Sequence, residues 1–322
     1  MKTLITGASG FAGSWLSKAC AEAGDQVLGV SRSGQQRAGC GESRALDIRD
    51  RQALCALLAD FKPEVIYHLA GLANVGRSWT SPQAAMEVNA AGAASVLEAV
   101  AQAAPGARLV WVSSGEVYGT AGTQPLTETE PLAPDNPYGV SKAAGELLAD
   151  VYARQRGLWV VRARAFAHAG PGQHPSFLIS NIARQAALAS IGGVSQLVLK
   201  TGNPHTRREV TDVRDVVRAY RLLANPQTPP GVYNVCSGVS SSTAEKVAAV
   251  AAAIAPIAVN HVTDPRLVRT GEPPDLCGSY ERLYSLTGWR PLIPLSQTIT
   301  ETVSWWELQL RACSPAQNGK MP

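Results

Sequence analysis

The chain opens with a short apolar run, residues 1–6. It passes directly into Gly7-Ala8-Ser9-Gly10-Phe11-Ala12-Gly13 and then into a helical pattern beginning near Phe11. A strand, a glycine turn and a helix in that order constrain the fold more than any other segment. They predict the first unit of a parallel α/β sheet, with a dinucleotide pyrophosphate seated on the helix N-terminus. Gly7, Gly10 and Gly13 let the backbone turn tightly and approach the phosphates. Phe11 and Ala12 lie in the first helical turn, whose free N–H groups and positive dipole end favour an anion.

The following 150 residues repeat the alternation. Strands are expected at 2–6, 26–30, 65–69, 108–113 and 158–164, with helices at 11–23, 51–59, 82–102 and 136–156. This rhythm predicts an α/β fold, a Rossmann-type doubly wound parallel sheet covered on both faces. After residue 164 the rhythm breaks at Gly170-Pro171-Gly172. Helices follow at 177–189, 212–223, 243–254 and 295–310, with a strand at 232–235. Residues 1–165 are therefore read as a dinucleotide-binding domain to which 210–236 return. Residues 166–209 and 237–312 form a smaller interleaved substrate-binding lobe, and 313–322 a disordered tail.

Bulk properties narrow the function classes. A net charge of +4 over 322 residues, without a dense Lys/Arg run, gives no basis for nucleic-acid binding. Arginines spread through the second half suit a small phosphorylated substrate. The six cysteines show no Cys-x-x-Cys spacing, so neither a metal site nor a disulfide framework is expected. No apolar run reaches about 18 residues and the N-terminus enters a strand at once, so no membrane contact and a cytoplasmic location are expected.

Tyr138-Gly139-Val140-Ser141-Lys142 adds chemistry to the cofactor site. It places a phenol and an ammonium four residues apart on one helix face. A free tyrosine has a pKa of about 10, and a nearby cation favours the phenolate and draws that value toward neutrality. Upstream, an apolar strand ends in Ser113-Ser114-Gly115-Glu116, which puts hydroxyls at a strand's carboxyl end. Hydroxyl, phenol and ammonium make a Ser–Tyr–Lys proton-transfer set. In the cofactor half, Ser31 and Arg32 stand at the end of the second strand, where an acid would bond ribose hydroxyls. Their chemistry suits a 2′-phosphate, so NADPH is expected, with NADH as the second cofactor. Leu69-Ala70-Gly71 would line the pyrophosphate and nicotinamide ribose.

These residues resemble the extended short-chain dehydrogenase/reductases that act on nucleotide sugars. The resemblance runs over residues 2–306. Its general signals are Gly7–Gly13, His68-Leu69-Ala70, Val88-Asn89, Val112–Gly119 and Tyr138–Lys142. More specific ones are Gly170-Pro171-Gly172-Gln173 with Ser176-Phe177, the stretch 211–220, the stretch 232–238, and Thr287-Gly288-Trp289. The resemblance implies reduction of the 4-keto group of GDP-4-dehydro-6-deoxy-D-mannose to GDP-D-rhamnose. It selects Ser114, four residues before Tyr118, as the hydroxyl that bonds the ketone oxygen. Tyr138 would donate the proton, and Lys142 would hold the nicotinamide ribose. Asp47 and Ile48 would meet the adenine edge. Ser176, Arg184, Arg208 and Arg269 would hold the nucleotide, and a homodimer would form through helices 82–102 and 136–156.

Two features keep other outcomes in view. Ala167 stands where the family commonly has an asparagine on the substrate, which bears on the sugar's pose. The same reductase chemistry on the opposite ring face gives GDP-6-deoxy-D-talose. Glu116 occupies the place of the base in GDP-mannose 4,6-dehydratases, and a nucleotide-sugar 4-epimerase would use the same Ser–Tyr–Lys set. The stretch 211–220 favours the reductase. A non-enzymatic cofactor-binding protein on this fold is disfavoured by the intact Ser114, Tyr138 and Lys142.

Overall fold

The computed structural model describes residues 1–35, 41–120, 125–268 and 275–313. Its centre is a parallel sheet built from β1 (Lys2–Thr6), β2 (Gln26–Ser31), β3 (Glu42–Ala45), β4 (Val65–His68), β5 (Arg108–Ser114), β6 (Val160–Ala165) and the later strand Gly231–Val235. The spatial order is Gly231–Val235, β6, β5, β4, β1, β2, β3. The chain thus winds outward from β1 in both directions. The switch between the halves falls beside the carboxyl ends of β1 and β4, where open α/β sheets bind ligands.

The α-helices among the described residues are α1 (Phe11–Glu22), α2 (Arg51–Phe61), α3 (Val75–Thr80), α4 (Pro82–Met86), α5 (Gly92–Ala103), α6 (Pro137–Arg156), α7 (Leu178–Ile191), α8 (Val213–Leu223), α9 (Thr243–Ala253), α10 (Glu281–Thr287) and α11 (Leu295–Cys313). Helices of the sheet's own unit cover both its faces. One face buries Leu16 and Cys20 of α1 and Val216, Val217 and Tyr220 of α8 against Ile5, Tyr67 and Val110. The other buries Leu54 and Leu58 of α2 and Val96 and Val100 of α5 against Leu4, Ile66 and Leu109. Strands covered on both faces must be apolar throughout, which explains why β1, β2 and β4 read as continuous hydrophobic runs. No helix among the described residues is long and apolar enough to cross a membrane.

Three elements depart from expectation. The edge strand β3 (Glu-Ser-Arg-Ala) is short and polar and gave no apolar signal. The helix expected over 82–102 is interrupted by a π-helical turn, Glu87–Ala91, with the separate short helix α3 before it. Extra residues in such turns rotate a side chain out of helical register. Here Asn89 is turned inward: its Oδ1 accepts from Leu72 N (2.8 Å), and its Nδ2 donates to Leu72 O (3.0 Å) and Ser141 Oγ (2.9 Å).

The chain divides into two compact units. The sheet unit holds Met1–His168, Glu209–Ser240 and Leu276–Leu292. The smaller unit holds Ala169–Arg208, Ser241–Asp275 and the residues from Ile293 onward. Expectation ran the smaller lobe through 237–312, but 276–292 pack in the sheet unit. The cause is Trp289, fully buried, whose Nε1 donates to Asp215 O (3.0 Å) while Leu292 N donates to Asp215 Oδ2 (2.8 Å). Within the smaller unit, α7 packs on α11, and the strands Gln196–Thr201 and Ala258–Thr263 pair in parallel. Of the expected tail, residues past Cys313 lie outside the described residues.

Candidate active site

The glycine turn is shaped by contact rather than by sequence alone. Gly7 adopts φ +75°, and a Cβ there would lie 2.8 Å from Ala70 N. A Cβ on Gly13 would lie 2.1 Å from Gly7 O, so only glycine lets α1 start this close to β1. Beside this turn opens a groove of about 550 Å³. Its lining includes Gly7, Gly10, Ser31, Arg32, Asp47, Ile48, Leu69, Ala70 and Gly71. Phe11, Ala12 and Gly13 lie just beyond it, at the start of α1. Ser9, Ser33, Leu72 and Val88 also line the groove; Ser9 lies inside the glycine motif and Val88 in the Val88-Asn89 signal, but none had been assigned a role there.

The groove's chemistry fits a phosphorylated dinucleotide. Ser31 Oγ is buried with no hydrogen-bond partner, an orphan hydroxyl at the end of β2. The adjacent Arg32 is exposed, and no ion pair to it is formed among the described residues. Asp47 lines the groove, already held by a neighbour. Arg49 grips its carboxylate through Nε (3.0 Å) and Nη2 (2.7 Å) and holds its pKa down at about 2. That carboxylate is neutralised beside Arg32 rather than left open.

At the carboxyl end of β5, buried Ser114 accepts from Glu116 N (3.2 Å), and its hydroxyl acts to hold down the pKa of the Tyr138 phenol. Helix α6 is delivered there by its cap. Asn136 Oδ1 accepts from Gly139 N (2.8 Å), and Asn136 Nδ2 donates to Glu116 Oε2 (2.8 Å). Ser78 Oγ accepts from Tyr138 N (3.1 Å), satisfying another N–H of the first turn. A Cβ at Gly139 would lie 2.5 Å from Glu116 O, so the glycine lets α6 sit against the 115–117 turn.

Lys142 lies one turn along α6, and its Nζ donates to Val112 O (2.5 Å). Burial pushes its pKa down to about 8, opposed by the Glu146 carboxylate. Expectation had Lys142 pulling the Tyr138 pKa toward neutrality. In this structure burial pushes that phenol up to about 12, and the interaction opposing the rise is the Ser114 hydrogen bond. The Lys142 ammonium is committed instead to a β5 carbonyl.

Behind Ser114, Tyr138 and Lys142 lies a buried polar layer. Thr6 Oγ1 and His68 Nδ1 are 2.8 Å apart, and Ala70 N donates to the same Thr6 hydroxyl (3.3 Å). The two side chains thereby shape the loop after β4. His68 is kept neutral by burial, its pKa about 3, with its ring 4.3 Å from that of Trp111. His68 stood in the His68-Leu69-Ala70 signal and Thr6 at a strand end, neither of which specifies a partner 62 residues away.

The expected nucleotide-binding residues belong to the smaller unit. Ser176 Oγ pairs with His174 Nδ1 (2.9 Å), and Arg208 Nη1 donates to Arg207 O (2.6 Å). Arg184 lies over the Trp306 ring, 5.6 Å from its centroid. Arg269 lies outside the described residues.

Comparison with known proteins adds relatives to this geometry. The family described as GDP-mannose 4,6 dehydratase matches residues 4–302. A GDP-6-deoxy-D-mannose reductase of Pseudomonas aeruginosa is 35% identical over 251 residues, 77% of this chain and 82% of that protein. A UDP-glucose 4-epimerase of Mycolicibacterium smegmatis is 32% identical over 319 residues, 95% of this chain and 98% of that one. The solved structure of RMD from Pseudomonas aeruginosa complexed with NADPH superposes with a TM-score of 0.83 at 30% identity, covering 96% of this chain and 100% of that chain.

Proposed function

This chain belongs to the GDP-mannose 4,6-dehydratase family of extended short-chain dehydrogenase/reductases, and from that premise we propose that it reduces GDP-4-dehydro-6-deoxy-D-mannose at C4 to give GDP-D-rhamnose. The observation that carries this reading is the placing of Ser114 and Tyr138 together at the end of β5, on a sheet whose groove holds an exposed Arg32 and, among the described residues, a Ser31 hydroxyl without a hydrogen-bond partner. Those two groups suit the 2′-phosphate of NADPH. Bound there, NADPH supplies the hydride that reduces the ketone carbon.

The chain's own residues handle the proton and the developing charge. Tyr138, protonated across the working range, gives its phenolic proton to the ketone oxygen. Ser114 donates a hydrogen bond to the same oxygen, an interaction worth about 2.7–4 kcal/mol in a water-excluded site. Lys142, whose ammonium donates to Val112 O, is assigned to the nicotinamide ribose. Solvent then returns the proton to Tyr138. Ser176, Arg208 and Arg269 are assigned to the GDP moiety, and Arg184 to its flank beside Trp306. A homodimer through α5 and α6 is supported by Val140, Leu147 and Val151, which leave an exposed apolar stripe on α6.

The epimerase relative spans more of the chain and uses closely related chemistry. A 4-epimerase returns the hydride it removes and consumes no net reductant, so stoichiometry separates the two. The decisive assay is NADPH oxidation with GDP-4-dehydro-6-deoxy-D-mannose, the product read by NMR. One NADPH consumed per 6-deoxyhexose formed is the expected result, and the C4 configuration distinguishes rhamnose from talose. No oxidation, with water lost from GDP-mannose instead, overturns the reductase and moves the chemistry to Glu116.

A further inference from the structure

A buried ion pair lies directly behind the Ser114–Tyr138–Lys142 set, and none of the steps above uses it. Glu146, one helical turn beyond Lys142 on α6, is 1% exposed, and Arg164 on β6 is 5% exposed. Arg164 Nη2 and Nε reach Glu146 Oε1 at 2.7 and 3.0 Å. The other oxygen, Oε2, accepts from Ser113 Oγ at 2.5 Å, so the carboxylate bonds two adjacent strands at once. Arg164 is completed by the Tyr118 hydroxyl (2.8 Å), which itself donates to Asn234 Oδ1 (2.7 Å).

Burying such a pair costs desolvation that its mutual attraction only partly offsets, and apolar replacements of like volume are often as stable or more so. A purely structural account of the pair is therefore weak, and its position relative to the reacting residues matters. Ser113 is the immediate neighbour of Ser114. Glu146 and Lys142 share one helix face at i and i+4.

We propose that Glu146 is a positioning residue: its carboxylate keeps the Lys142 ammonium charged and ties α6, which carries Tyr138 and Lys142, to the strand end that carries Ser114. The inference rests on the reductase reading for its kinetic consequence. The groups facing Lys142 from each packed element are consistent with it. From β4 comes His68, held neutral; from β5 the Val112 carbonyl; from its own helix Tyr138, whose phenol is protonated, and Glu146. Glu146 is the acid that opposes desolvation of that ammonium. Around the pair itself, Tyr118 stays a neutral phenol, and Glu128 offers Arg164 a backbone carbonyl at 3.4 Å.

The test uses the full chain labelled with 13Cε-lysine, without cofactor, the Lys142 resonance being assigned by its loss in Lys142→Met. Wild type, Glu146→Gln, Glu146→Asp and the paired apolar variant Glu146→Met/Arg164→Leu are titrated by NMR, and kcat and KM are followed against pH. In Glu146→Gln the Lys142 midpoint should fall by about one pH unit, a tenfold change in its protonation equilibrium, and in the paired variant, which also removes the Arg164 cation, it should fall by less. The alkaline limb of kcat should move down by the same amount while the substrate KM changes less than twofold. Glu146→Asp should restore most of both. The paired variant leaves no lone buried charge, so it keeps the test open should Glu146→Gln not fold. An unmoved Lys142 midpoint in whichever variant folds overturns the proposal. Wild-type protein that fails to oxidise NADPH overturns the reductase reading alone, since the lysine titration reads Glu146 without turnover.

Discussion

Arg32 is the group on which cofactor choice should turn. It sits at the mouth of the β1–β2 groove, exposed, beside the orphan hydroxyl of Ser31 and next to an Asp47 whose charge Arg49 has already absorbed. A 2′-phosphate placed there meets the Arg32 cation, while the nearby Asp47 carboxylate is held by Arg49. A charge-assisted hydrogen bond contributes about 1.5–3 kcal/mol, and exposure of Arg32 reduces its share to about 1–2 kcal/mol. At about 1.4 kcal/mol per factor of ten, Arg32→Ala should weaken NADPH binding roughly 5- to 30-fold. NADH, lacking the phosphate, should bind within twofold of wild type. Titration of nicotinamide fluorescence at fixed ionic strength, with both cofactors, measures this directly. Wild-type NADPH affinity should also fall with salt more steeply than that of the variant. Equal losses for the two cofactors, or none for NADPH, would refute the assignment of Arg32 and leave the adenosine end to be recognised elsewhere.

Other substitutions probe the remaining links. Tyr138→Phe removes the proton donor but keeps the ring, so kcat should drop about 10²- to 10⁴-fold with NADPH affinity within twofold; an unchanged kcat would transfer the acid role elsewhere. Asn89→Ala deletes three hydrogen bonds joining the π-turn to Leu72 and Ser141. It should cost about 2–4 kcal/mol, seen as a Tm lowered by several degrees. Glu209 accepts from Ser237 N, Ser237 Oγ, Gly238 N and Gly278 N at 2.7–2.9 Å. Glu209→Gln turns an amide donor against one of these donors and should lower stability by about 1–3 kcal/mol in urea unfolding; a neutral result would show that Glu209 is already protonated. Gly13→Ala places a methyl 2.1 Å from Gly7 O, and NADPH binding should be lost in a protein whose far-UV circular dichroism is retained.

What the sequence by itself determined is local. A strand closing on Gly7, a Tyr-x-x-x-Lys spacing and alternating apolar runs are written in neighbouring residues, because helical and strand periods and the φ freedom of glycine act over a few positions. From them the parallel sheet, the cofactor groove and the helix carrying Tyr138 and Lys142 were all legible. The return of Leu276–Leu292 to the sheet unit was not, since it depends on one tryptophan finding Asp215, 74 residues away. Nor was the inward turn of Asn89, the neutralisation of Asp47, or the direction of the Lys142 ammonium. Ser113 stood in a motif without a role of its own, and Glu146 and Arg164 carried none, yet the three form the buried layer behind Ser114, Tyr138 and Lys142. Which polar group is buried, and which partner satisfies it there, is decided by packing between distant segments. The same desolvation that moves the pKa values of Tyr138 and Lys142 exists only once those segments have closed around them.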